Sequence, residues 1–260
     1  MKSSESTDFS YQLSAPDRKL LIPDELREIS GISWVNEEVI AAIQDEEGII
    51  YHVSLTDAQV VSRFPFGPDG DYEDLVIVGD TAFVVRSDGT LLRVANYTSE
   101  QRTVETFDTP LSGRQDVEGL CLSGNLLLLA CKGDAGLGKD NRDQKAVYAW
   151  DLTTLQLIDQ PLIVIDLNKI AKENNQKKLI FHPSGIAEHP LNKEKYVIAS
   201  DGNALMVLDK EGAALLAKKL SASQFEQPEG ICFSPNGTLL ISSEGKDNSA
   251  TIQIFQQKNQ

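Results

Sequence analysis

One short pattern recurs five times along the 260 residues: EISGISW from Glu28, DYEDLVI from Asp71, DVEGLCL from Asp116, HPSGIAE from His182 and QPEGICF from Gln227. Its anchor positions, Gly31, Asp74, Gly119, Gly185 and Gly230, are separated by 43, 45, 66 and 45 residues. A period of this length marks a repeat architecture, in which each copy is one supersecondary unit that cannot bury its apolar face alone. The long third interval carries two polar insertions, 133–145 and 168–179, the second expected to be a short helix. Removing about 20 residues there restores the period.

Each anchor is followed by a turn, an apolar run ending in small or acidic residues, and a further strand: IIYHVSL, TLLRVANY, KAVYAWDL, NALMVLDK and ATIQIFQQ. Most copies add a fourth, such as QVVSRFPF or TVETFDTP. Short strands joined by Gly, Asn and Asp turns, four to a unit, are the mark of a β-propeller blade. The expected fold is therefore all-β: a five-bladed propeller of four-stranded antiparallel blades, in one domain over 9–256, behind a disordered tail at 1–8. A β-sandwich is the alternative, but it gives no reason to repeat an acid at one strand-start position. The last copy ends after its third strand, so residues 9–15, within the stretch FSYQLSAP, are expected to supply the missing outer strand and close the ring.

In a propeller the first strand of each blade lines the central channel, and side chains two apart share a face. The position before each anchor reads Ser30, Glu73, Glu118, Ser184 and Glu229; two residues earlier stand Glu28, Asp71, Asp116, His182 and Gln227. Two stacked polar rings are expected at one mouth. Carboxylates this close raise one another's pKa unless protons or a cation intervene. Glu73, Glu118 and Glu229 are thus candidate metal ligands, with Ca²⁺ favoured over Mg²⁺ because a roomy oxygen ring suits its flexible coordination. The competing reading is that the acids cap backbone amides or bind only channel water. A second acidic series, Asp45, Asp88, Asp134, Asp201 and Glu244, ends the second strands as turn residues or as a rim. Arg86 and Lys132 stand beside it as possible contacts for an anionic ligand.

Lys and Arg number 24 against 39 Asp and Glu, for a net charge of −15, which disfavours a nucleic-acid partner. No apolar run approaches the roughly 20 residues of a membrane helix, so the chain reads as soluble, and MKSSESTDFS lacks a signal-peptide core. Cys121, Cys131 and Cys232 form no CxxC pair and are expected to be buried thiols. There is no GxSxG elbow or HExxH helix, and GDAGLGKDN lacks the spacing of a phosphate loop.

In ELREISGISW, the DYEDL and DVEGL strand starts, FHPSGIAEHP with YVIASDG, and QPEGICFSPNGTLLISSEG, the chain resembles the SdiA-regulated family of bacterial proteins over about residues 20 to 256. That family is distantly related to phytase-like and other calcium-associated propellers. The resemblance implies a cell-envelope propeller, periplasmic or lipid-anchored, with a cation plausible at the channel and no defined activity; the cytoplasm is the alternative compartment. It carries over Glu73, Glu118 and Glu229 as acidic strand starts, while Ser30 and Ser184 depart from the acid in two repeats. Two functions follow as expectations. One is a monomeric, non-catalytic binding module for a small molecule, glycan or protein on its loop face. The other is a metal-dependent hydrolase of a phosphoester, lactone or other ester, with Asp116 or His182 as base.

Overall fold

A computed structural model describes residues 9–138, 143–246 and 248–258. The tail expected at 1–8 and part of the first insertion therefore lie outside the described residues. Strand β1 (Arg18–Leu21) comes first in the chain, apart in sequence from the blade it joins, and five antiparallel sheets follow in sequence order. Blade 1 is β2 (Ile29–Trp34), β3 (Val39–Gln44), β4 (Ile49–Ser54) and β5 (Val60–Pro65). Blade 2 is β6 (Tyr72–Val78), β7 (Thr81–Arg86), β8 (Leu91–Ala95) and β9 (Thr103–Phe107).

Blade 3 comprises β10 (Val117–Ser123), β11 (Leu126–Cys131) and β12 (Gln144–Asp151), whose outer edge is shared by β13 (Gln156–Leu157) and β14 (Ile163–Asp166). The second insertion begins as expected with a helix, α1 (Leu167–Glu173), N-capped by the Asp166 carboxylate on the Lys169 amide. Blade 4 is β15 (His182–Glu188), β16 (Lys195–Asp201), β17 (Ala204–Leu208) and β18 (Ala214–Lys219). Blade 5 contains β19 (Pro228–Phe233), β20 (Leu239–Ser243) and β21 (Thr251–Phe255), with β1 as its outer strand.

The ring is thus closed by an N-terminal strand, as expected, but by 18–21 rather than 9–15. Arg18 pairs with Ile254 and Leu21 with Thr251. The aromatic segment before it, with a turn at 13–14, lies over the seam between blades 4 and 5 instead. There the buried Tyr11 donates its hydroxyl proton to the Gly237 carbonyl at 2.6 Å and lies 3.0 Å from His189 Nε2. Its hydrophobicity read as strand, yet its apolar surface is spent on packing against Tyr196 and Phe233.

The core is distributed as five apolar clusters, each sandwiched between neighbouring blades; Ile43, Ile50 and Leu75 lie in the seam between blades 1 and 2, and Leu129, Phe83 and Trp150 in that between 2 and 3. Burial between faces that alternate along every strand is the driving term for closing the wheel. Cys121, Cys131 and Cys232 are buried free thiols, and burial pushes the Cys131 thiol up to about 12.

The five innermost strands, β2, β6, β10, β15 and β19, share one irregularity. Their register with the second strand slips between Ile29 and Gly31, Tyr72 and Asp74, Val117 and Gly119, Pro183 and Gly185, and Pro228 and Ile231. Such a β-bulge leaves one residue out of the ladder and re-aims its side chain. The residue left out is the one before each anchor; in blade 5 the anchor Gly230 is skipped as well. The anchor glycines answer a separate demand, the close approach of inner strands near the axis. A Cβ on Gly31 would stand 2.5 Å from Asp74 Oδ1, and one on Gly185 would collide with the Glu229 carbonyl.

Candidate functional site

Ser30, Glu73, Glu118, Ser184 and Glu229, one from each bulge, line a single axial cavity of about 160 Å³. Asp45, Lys132, Gln227 and Glu244 complete its wall. The inner ring expected from the repeats is therefore formed. The second set does not share this cavity: Glu28 and Asp71 are exposed, Asp71 accepting from Ser87, while Asp116 and His182 line a separate side cavity, yet Asp71 and Asp116 stay close enough to Glu73 to raise its pKa. Of that set only Gln227 joins the axial wall. The bulge alone does not decide this, since Gln227 precedes the same irregularity in blade 5; at Asp116 the backbone is also left-handed, with φ 53°.

The second acidic series also divides. Asp88 and Asp134 are turn residues, accepting from the Thr90 and Gly136 amides at 3.0 and 2.7 Å. Asp45 and Glu244 reach the channel, and their counterpart in blade 3 is Lys132: Lys132 N donates to Asp116 O as Glu244 N does to Gln227 O. Arg86, expected alongside Lys132, sits instead against Asp88 at 3.6 Å.

Lys132 changes the electrostatics of the ring. Its Nζ donates to Glu118 Oε1 at 2.6 Å. Burial disfavours its ammonium, but Glu118, Glu229 and Asp116 outweigh that and raise its pKa. Burial pushes Glu73 up to about 9, with repulsion from Glu118, Asp71 and Asp116 adding to it. Glu229 rises to about 8 through burial and the nearby Glu118 and Glu244. Glu118 stops at about 7 because Lys132 opposes the cost of its burial. Glu244 reaches about 7 for similar reasons, burial first and then Asp45 and Glu28. At neutral pH the cluster is thus held by protons on several carboxyls and one internal ammonium.

The two serines are structural. Ser30 Oγ donates to the Tyr72 carbonyl at 2.9 Å and Ser184 Oγ to Pro228 O at 2.7 Å, in each case one residue ahead of the next blade's bulge. Asp74, the one anchor that is not glycine, performs a related task with its side chain. Its fully enclosed carboxyl accepts from its own neighbour Leu75 N at 2.8 Å and from Leu120 N of blade 3 at 2.7 Å. Burial still raises its pKa well above the usual carboxylate range, beyond what those two amides recover. The sequence offers Lys132 only as a possible contact for an anionic ligand and gives no sign of the Asp74 clamp; the signal for Lys132 in the ring is its place directly after a second strand, where Asp45 and Glu244 stand in their own blades.

For a metal, the donor set points two ways. Asp45 Oδ1 is buried without a hydrogen-bond partner in the axial wall, the kind of orphaned acceptor a cation or its water satisfies. Yet among the described residues no three of His, Cys, Asp and Glu are grouped so that one ion could be held by all of them. The residues therefore fit a hydrated cation reached through its waters better than a direct carboxylate cage.

Solved structures with the same architecture share little sequence with this chain. Myxococcus xanthus glutaminyl cyclase superposes with a TM-score of 0.62 at 14% identity, covering 94% of this chain and 96% of that one. The PQQ-bound aldose sugar dehydrogenase of Streptomyces coelicolor gives 0.59 at 10% identity, over 93% and 97%. A chain of the nidogen/laminin complex gives 0.56 at 14%, over 89% and 86%. Likeness at these identities shows the fold alone. No curated protein sequence matches the chain. Among the described residues no helix is long and apolar enough to cross a membrane. The sequence model of the SdiA-regulated family matches residues 6–248, nearly the whole length, and the chain belongs to that family.

Proposed function

We propose that the protein is a non-catalytic binding propeller, whose axial carboxylates exchange protons for a hydrated divalent cation, Ca²⁺ before Mg²⁺. The observation that carries this reading is the single cavity in which Glu73, Glu118 and Glu229 all sit above the ordinary carboxylate range while Asp45 keeps an unsatisfied oxygen. A cation arriving there would relieve repulsion that protons now relieve. A serine nucleophile at the ring is disfavoured, since Ser30 and Ser184 are committed to backbone carbonyls. The face carrying the two blade 3 insertions is the recognition face, because rigid blades with elaborated loops suit recognition. Placement at the bacterial cell envelope is part of the proposal on the strength of the family resemblance alone.

The test is a melting series with Ca²⁺, Mg²⁺ and EDTA at about pH 6 and about pH 8. A ligand that prefers the native state raises the melting temperature, and proton competition makes the calcium shift larger at the higher pH. No shift with either ion at either pH would leave the ring to protons and water.

A further inference from the structure

The 66-residue interval leaves its mark as a side cavity of about 620 Å³ between blades 3 and 4, lined in part by Leu167 at the start of α1 and by the segment 178–180. Its charges are spent unequally. Arg114 is paired with Asp134 at 3.1 Å, and Asp143 accepts from Asn168 at 3.0 Å. Lys145 Nζ is tied to the carbonyls of Lys132 and Gly133 at 2.5 and 3.2 Å and lies 3.4 Å from His182 Nδ1. Among the described residues, Asp116 and Lys178 have no ion-pair partner, and both line the cavity. Lys132 lines it too, and of the residues in this wall it alone also belongs to the axial wall.

The Lys132 side chain is 31% exposed while that of its partner Glu118 is 9% exposed, and Lys132 lines both cavities. Beside the cations is an apolar strip, Leu179 and the exposed Ile180. The combination specifies a ligand: one negative charge for Lys132 and Lys178, hydroxyl donors for the Asp116 carboxylate, and a C–H face for the strip. In a chain of net charge −15, an anion has little reason to dwell elsewhere on the surface.

We propose that this cavity binds a small polyhydroxylated carboxylate of the sugar-acid class, and that Lys132 meets its carboxylate in competition with Glu118. The proposal deepens the binding reading by naming a ligand class. No metal takes part in it, although Lys132 and Glu118 are shared with the axial wall. Glu118 is a brake on the site: it holds the ammonium that the ligand needs, across the wall between the two cavities.

The experiment is a calorimetric titration with D-glucuronate in EDTA, against methyl glucoside and inorganic phosphate as probes of the hydroxyl face and of charge alone. Glucuronate is expected to bind and to be recovered intact, methyl glucoside and phosphate to bind at least about tenfold more weakly, because each lacks one half of the match. Lys178→Ala, an exposed change with little bearing on folding, should weaken glucuronate several-fold, whereas Glu118→Gln should tighten it by about tenfold by releasing Lys132. Glucuronate binding no better than methyl glucoside or than phosphate, or a Glu118→Gln protein that binds no more tightly than the parent, overturns the proposal. Binding followed by a chemically altered ligand would instead sink the non-catalytic reading while leaving the site in place.

Discussion

Replacing Glu73 with glutamine should flatten the dependence of stability on pH. Burial, with repulsion from Glu118, Asp71 and Asp116, holds the Glu73 carboxyl at about 9 in the folded ring, against about 4.5 when exposed. Between those values the folded state keeps a proton that the unfolded state releases, so stability contributed at low pH is lost as pH rises. The slope for one such group is about −1.4 kcal/mol per pH unit. From about pH 6 to about pH 8 that amounts to about 2.7 kcal/mol, and because Glu73 is not fully buried, half of it is the working figure. Glu229, held at about 8, slopes the same way, so the parent protein should be most stable on the mildly acidic side. His52, His182 and His189, all depressed by burial, act with the opposite sign below their exposed value. Subtracting the Glu73→Gln profile from the parent profile cancels them. Denaturant unfolding at several pH values, without divalent ions, gives both curves. If they run parallel from pH 6 to 8, Glu73 is already ionised in the folded ring and the argument from crowded, protonated carboxyls is wrong.

Two further substitutions probe how the inner strands are held. Asp74→Ala removes the acceptor for two enclosed amides, Leu75 N and Leu120 N, and should cost about 1–3 kcal/mol in denaturant unfolding; an unchanged midpoint would mean the clamp between blades 2 and 3 contributes nothing. Gly185→Ala drives a methyl group into the Glu229 carbonyl, with an expected loss of about 1–3 kcal/mol and a lowered melting temperature, whereas Gly113→Ala, with open space around it, serves as the silent control.

The repeat made the wheel legible, because a fixed spacing of strand starts leaves few ways to bury five similar faces. It also placed Ser30, Glu73, Glu118, Ser184 and Glu229 around one axis. What it hid follows from backbone geometry. Simple alternation put Asp116 and His182 in the channel, whereas both line a side cavity, Asp116 from a left-handed backbone conformation that alternation does not foresee. Aligning the second strands on their acids led to Asp134 and past Lys132; aligning them on strand ends pairs Lys132 with Asp45 and Glu244. FSYQLSAP resembled a closing strand because aromatic packing over a seam and pairing at an edge both demand apolar residues. The shorter RKLL, with only Leu20 buried, carried the hydrogen bonds.

Because the bulged glutamates stand outside the hydrogen-bonded ladder, the acidic part of this hub is decoupled from the pairing of the spokes. Its three glutamate positions can be exchanged one at a time while the sheets keep their pairing, whereas Ser30 and Ser184 bridge to the next blade's backbone. A chain built this way can change what its centre holds without relearning how to fold.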